Sequence, residues 1–144
     1  NILKNKPLPI YAKGMNSREW IHVKDHCEAL LKIYFKGKIG ESYNVGSNEN
    51  VKNIMIARKL ISISKKNPLH KTNKAKIKFV KDRPGHDFRY ALDSKKIRKE
   101  LNWKSKINLN KGLYDTFRWY INNIKFFTSV SGKLYVNRMG LNKK

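Results

Sequence analysis

"SREWIHVKDHCEALLKIYFKG", residues 17 to 37, changes periodicity within a few positions. Over 17 to 23, Trp20 and His22 alternate with Ile21 and Val23, the period of two expected of a short strand with one covered face. Asp25 then has the right residue type to start a helix. With Glu28 three positions on it makes a capping box, in which each side chain satisfies a backbone donor left without a partner in the first turn. Cys27, Leu30, Leu31 and Tyr34 form the apolar stripe of that helix, and Gly37 is placed to end it. A strand running directly into a helix is half of an alternating arrangement, so the fold class depends on whether the rest of the chain repeats it.

The rest does repeat it. In "ESYNVGS" (41 to 47), Ser42, Asn44 and Gly46 alternate with Tyr43 and Val45, predicting a second strand. Residues 51 to 64 read as a helix and "KIKFV" (76 to 80) as a third strand. Asp93 or Ser94 caps a short helix ending near Leu101. Another helix runs from Leu109 to Asn122, with Leu113, Phe117, Tyr120 and Ile124 on one face. Strands alternating with helices predict an α/β or α+β fold. The 144 residues fit one domain with a usable core, without repeats or an internal linker.

Cys27 is the sole cysteine, so no internal disulfide forms, and no Cys/His cluster has zinc spacing; a cytoplasmic setting is expected. No apolar run approaches the roughly 18 residues of a membrane span, so no membrane partner is expected. The opening "NILKNKPLPIY" reads like the middle of a longer chain.

A formal charge of +23 is the footprint expected of a partner for nucleic acid or an anionic surface. Composition offers a plainer source: 26 Lys, 16 Asn and 14 Ile all have A/T-rich codons. The densest cationic stretch, Lys65 to Lys81, carries seven lysines and no acid, and its Asn67, Pro68 and Asn73 favour a solvated loop.

"DRPGHDFRY" (82 to 90) gathers Arg83, Arg89 and His86 around a Pro-Gly turn, and Arg18 stands near Trp20. Guanidinium forks suit phosphate oxygens, and these residues make an anion site feasible. They could equally pair with Asp82, Asp87 and Glu19 beside them; spacing alone leaves both readings open. Tyr34 and Lys38 have the Tyr-x-x-x-Lys spacing, but Gly37 breaks the helix between them, and His22 and His26 straddle a strand-to-helix boundary. Neither pair is read as a site. Among the eight glycines there is no GxGxxG run to cradle a dinucleotide, and no GxSxG elbow.

The stretches "KPLPIYAKGMNSREWIHVKDHCEALL", "GKIGESYNVGSNENVKN", "KFVKDRPGHDFRYALDSKKIRKELNW" and "GLYDTFRWYINN…SGKLYVNRMGLN" are similar, in order and spacing, to the C-terminal portion of the dTDP-glucose 4,6-dehydratases. These are extended short-chain dehydrogenase/reductases with a Rossmann-type α/β fold, and the resemblance runs from Asn1 to about Asn142. It implies that Arg18 and Arg83 contact a nucleotide diphosphate, that Asn53 supplies an amide and His86 a ring to the same ligand, and that Pro9 and Tyr11 line the thymine pocket. Glu19 stands where the family usually has Asp, and Ala12 where it usually has Gly.

In the family, the NAD loop, the catalytic Tyr-x-x-x-Lys and the Asp-Glu pair that eliminates water all lie upstream of this region. The resemblance therefore implies a substrate-binding portion whose partner is a dTDP-sugar. NAD would belong to the complete enzyme, with no cofactor expected on this chain alone and no catalysis by it. A separately encoded N-terminal half and a homo-oligomeric complete enzyme are further implications. Without that half, "ESYNVGS" is expected to form an unpartnered sheet edge that makes the chain self-associate or leaves it marginally folded. The alternative is a basic nucleic-acid-binding module on a decayed enzyme scaffold.

Overall fold

The computed structural model describes residues 1–67 and 75–129. After a 3-10 turn (Ile2–Lys4), the order is β1 (Leu8–Tyr11), β2 (Ser17–Glu19), α1 (Val23–Lys36), β3 (Asn50–Lys52) and α2 (Asn53–Lys66). Then follow β4 (Ile77–Val80), β5 (Arg89–Tyr90), α3 (Lys95–Leu101), α4 (Leu109–Asn122) and α5 (Ile124–Ser129). The mixed α/β class expected of the sequence is what forms. β1 pairs in parallel with β4, Leu8 opposite Ile77 and Tyr11 opposite Val80. In a second sheet β2 lies between β3, which is antiparallel to it, and β5, which is parallel.

Two apolar clusters sit behind these sheets. α1 packs on α3 around Ala29, Ile97, Leu101 and Trp103, with Ile21, Ile33, Tyr43 and Val45 against them. α2 packs on α4 around Ile2, Ala75 and Phe117, flanked by Leu60, Ile61 and Ile121. Short loops and good caps hold the helices in place. The Asn108 side chain accepts from Lys111 N at the start of α4, and Asp93 Oδ1 accepts from Lys95 N at the start of α3. At α2 the caps are backbone carbonyls of the loop after β1: Asn53 N donates to Asn16 O and Ile54 N to Gly14 O. Gly14 makes that close approach possible. It has φ +69, and a Cβ there would lie 2.6 Å from Ile10 Cγ2 and 2.9 Å from Ile54 Cβ.

Several expectations are corrected. The strand at 17 to 23 pairs only over Ser17–Glu19. The capping box is replaced: His22 is the N-cap of α1 and its Nδ1 accepts from Lys24 N, while Asp25 lies inside the first turn, 2% exposed. Its Oδ2 accepts from Lys106 N and Ile107 N, at 3.1 and 2.9 Å, and Glu28 pairs instead with Lys106 Nζ. The stripe of Cys27, Leu30, Leu31 and Tyr34 faces outward, because the contact with α3 uses Ala29 and Ile33.

Residues 41 to 47 are not a strand among the described residues. Tyr43 and Val45 do point into the core, so the alternation is real, but side chains rather than a ladder hold the backbone: Ser42 O accepts from Lys96 Nζ and Gly46 O from Ser94 Oγ. The helix read at 51 to 64 begins at Asn53, after the three-residue strand β3. On α4 the inward face runs through Phe117 and Ile121, leaving Tyr120 exposed, while Ile124, also exposed, lies beyond the end of α4 and starts α5. Within the Lys65–Lys81 stretch, Lys65 and Lys66 end α2 and Lys78 lies in β4. Residues 68 to 74 of it, and the "SGKLYVNRMGLN" end of the resemblance, lie outside the described residues.

Candidate functional site

The end of β1, the start of β2, the first turns of α2 and the loop after β4 enclose a cavity of about 430 Å³. That volume is in the range of small-molecule pockets. Pro9, Tyr11, Arg18, Asn53, Arg83 and His86, the six residues singled out above, all line it. Sequence reasoning missed its apolar floor, Ile56, Ala57 and Leu60 on the inner face of α2, and Trp20 at its edge. For α2 the helical periodicity was available as a signal; for Trp20 only its place beside Arg18 hinted at the site.

Arg18 is held by backbone carbonyls. Nη1 donates to Ser17 O at 2.7 Å and Nη2 to Asp87 O at 2.8 Å, which leaves the rest of the fork's five donors for other acceptors. Buried Asn16, another residue that sequence reasoning missed, donates through Nδ2 to the same Asp87 carbonyl. The loop carrying Arg83 and His86 is thereby tied to β2 from two directions. Pro84 and Gly85 turn it, with Gly85 at φ +63, where a side chain would strain the backbone.

The Arg83 guanidinium lies over the Tyr11 ring, 5.9 Å from its centroid, a distance at which ring and cation attract. His86 meets the same ring edge-on at 5.7 Å, and its Nδ1 donates to Asp82 Oδ1 at 2.6 Å. With its side chain 5% exposed, the imidazole is fixed in orientation. The His86 hydrogen bond, followed by that from Arg83 N, holds the half-exposed Asp82 carboxyl below its ordinary pKa.

The competing reading of this loop had each arginine neutralised by its neighbour. Among the described residues, neither Arg18 nor Arg83 is in an ion pair. Asp82 serves His86, and the Glu19 carboxylate accepts from the backbone of Asn48 and Leu92. Asn53 has its backbone N–H committed to Asn16 O, so what it offers the cavity is its side-chain amide. Arg89 belongs to β5 and does not line the cavity. Two guanidinium groups, an amide and an imidazole around an apolar floor make a surface suited to an anionic ligand with an apolar or aromatic portion.

The sequence model of the GDP-mannose 4,6 dehydratase family matches residues 1–116, and the chain belongs to that family. A relative from Sinorhizobium fredii described as a probable dTDP-glucose 4,6-dehydratase is 40% identical over the whole chain, which covers 42% of that relative. The dTDP-glucose 4,6-dehydratase 1 of Escherichia coli is 39% identical over 94% of the chain and 38% of its own length. Among solved structures, the Bacillus anthracis dTDP-glucose 4,6-dehydratase in complex with NAD superimposes with a TM-score of 0.76 at 35% identity, over 88% of this chain and 38% of that one. The Streptomyces venezuelae dTDP-glucose 4,6-dehydratase, solved with NAD bound, gives 0.77 at 33% identity, over 88% and 37%. The chain thus spans about two fifths of the length of these relatives.

Proposed function

We propose that these residues are the nucleotide-sugar-binding, C-terminal portion of a dTDP-glucose 4,6-dehydratase, the enzyme that converts dTDP-glucose to dTDP-4-keto-6-deoxyglucose and water. Arg18 and Arg83 grip the diphosphate, Asn53 and His86 orient it, and Pro9 and Tyr11 bound the thymine. One observation carries this: the six side chains line a single cavity in which, among the described residues, no carboxylate pairs with either guanidinium. Support from outside the chain is the identity of 33 to 40% to dehydratases along nearly its whole length.

The described residues do not suit a dinucleotide. The positive-φ glycines Gly14, Gly40 and Gly85 sit in three separate loops, none in a strand-to-helix turn of the kind that approaches a pyrophosphate. NAD and the chemical step are therefore assigned to the complete enzyme, a homo-oligomer whose remaining part is joined to this chain or encoded separately. By itself this chain holds and orients substrate, and it is inactive.

Isothermal titration with dTDP and dTMP tests the assignment. Tighter binding of dTDP is expected, with Arg18→Ala and Arg83→Ala each lowering its affinity about ten- to hundred-fold, the worth of a charge-assisted contact of roughly 1.5–3 kcal/mol. Equal, weak and fully salt-screened binding of both nucleotides would remove the diphosphate clamp. The +23 charge supports a second reading, nucleic-acid binding. A steep log-log dependence of RNA or DNA affinity on salt, at sub-micromolar strength, would favour it.

A further inference from the structure

We infer that Asp82 is a positioning residue of the anion site, acting through His86 so that the site takes up a proton as it closes on its ligand. Asp82 Oδ1 accepts twice, from His86 Nδ1 at 2.6 Å and from Arg83 N at 2.9 Å. A single oxygen thus fixes both the imidazole and the backbone that carries the guanidinium. With its side chain 5% exposed and its ring edge-on to Tyr11, His86 keeps the same nitrogen toward Asp82.

The two ring nitrogens therefore differ in what they can do. A carboxylate only accepts, so Nδ1 carries a proton. The hydrogen bond from His86 holds the Asp82 carboxyl below its ordinary range, so the acceptor stays ionised near neutrality. Nε2 has no hydrogen-bond partner among the described residues. Nor is it sealed off, since the only buried side-chain atom without a partner among those residues is Trp103 Nε1. A histidine kept only for packing has both nitrogens satisfied by protein; this one leaves the second open to the cavity that it lines.

On a neutral ring that second nitrogen presents a lone pair. Phosphate oxygens present lone pairs too, so the contact repels until Nε2 is protonated and then becomes a charge-assisted hydrogen bond. The proton comes from solvent and returns to it when the ligand leaves. Neighbouring groups make the step conditional on the ligand. Arg83 on the same loop and Arg18 on β2 line the cavity with His86 and oppose a further positive charge, while Asp82 favours it. Tyr11 on β1 and Asn53 on α2 contribute a phenol and an amide. A diphosphate brings negative charge to the place where the arginines oppose the proton and so tips the balance. Imidazole is the side chain that changes charge at about pH 5 to 8. Affinity should then rise as pH falls, by up to about tenfold per pH unit for one proton taken up, and level off where the empty site already holds the proton.

The inference rests on the ligand assigned above, and the test separates the two. The 144-residue chain is titrated calorimetrically with dTDP-glucose at about pH 5.5 to 8.5 in buffers of different ionisation enthalpy, a comparison that counts the protons exchanged. Both phosphates of this ligand are esterified, so its own charge is constant over the range. Uptake approaching one proton is expected on the alkaline side. His86→Gln should bind with a flat pH profile and no uptake. Asp82→Asn, which keeps a hydrogen-bonding amide without the charge, should lower the uptake at least about twofold. A measurement on the unaltered chain is independent of how the variants fold: on saturation with dTDP-glucose the Cε1–H resonance of His86 should move to the position of a protonated ring. Binding without proton exchange, uptake that persists in His86→Gln, or uptake undiminished in Asp82→Asn would each overturn the inference and leave the ligand assignment standing. No binding at any pH would overturn both.

Discussion

Asp25→Ala is predicted to destabilise the chain more than its surroundings on α1 suggest. Its carboxylate accepts from two backbone donors, Lys106 N and Ile107 N, at 3.1 and 2.9 Å, neither of which has another partner among the described residues, and the residue is 2% exposed. Truncation removes the acceptor and leaves both donors in partly buried surroundings. A stranded buried donor costs about 1–3 kcal/mol, so two sharing one oxygen should together cost about 2–4 kcal/mol. For a chain of this size that is a fall of very roughly 10 °C in melting temperature. Asp25→Asn retains a carbonyl oxygen at the same place and should cost about 1 kcal/mol or less, which separates hydrogen bonding from charge. Urea unfolding followed by tryptophan fluorescence is a suitable assay, because buried Trp103 lies in the cluster behind α1. An Asp25→Ala variant within about 0.5 kcal/mol of the parent, the range of ordinary surface substitutions, would show that water or a shifted backbone replaces the carboxylate and would refute the reasoning.

Two further outcomes are expected. Ala12 adopts φ 45, the left-handed region, in the turn leading out of β1. Relieving that strain recovers about 1–2 kcal/mol, and the greater freedom of glycine in the unfolded chain takes back up to about 1 kcal/mol, so Ala12→Gly should stabilise by about 0.5 kcal/mol; a lower urea midpoint would contradict this. For Asp82, whose folded pKa is depressed mainly by the hydrogen bond from His86, the stabilising contribution is present above the ordinary value of 3.8 and is lost as pH falls through the lower folded value. Asp82→Asn should therefore flatten acid unfolding below about pH 4, and superimposable acid-unfolding curves for the two proteins would show the pair to be without effect.

Long periodic segments were legible in the sequence. α4 has the bounds that its pattern predicts, and β4 lies within the strand read there, because both are specified by neighbours along the chain. The capping box failed for the opposite reason. Asp25 and Glu28 have the right local spacing, but their partner, Lys106, is 81 and 78 residues away, and no local rule weighs a competitor at that distance. β3 and β5, three and two residues long, are too short to show any period and exist only because β2 lies between them. The stripe on α1 is apolar as the sequence reads, yet the contact with α3 uses Ala29 and Ile33 instead, since amphipathicity says that a face is to be covered and not by what.

Convergence of the cavity residues came from matched motifs rather than from periodicity. Composition and spacing left the arginines of the 82 to 90 loop divided between binding an anion and pairing with their neighbours. What separates those readings is the set of acceptors at Arg18, two carbonyls, and the commitment of Asp82 to His86; neither is written in the order of the residues.

The parallel pairing of β1 with β4 also governs when the cavity comes into being. Leu8 and Ile77 are register partners, so Tyr11 meets Arg83 and His86 only after roughly 70 residues have been drawn into a closed loop, at an entropic cost of about 4 kcal/mol. Such high contact order places the step late in folding. A nascent or partly proteolysed chain would carry every one of the ligand-gripping side chains and still have no place to bind, so nucleotide affinity reports on completion of the fold as a whole.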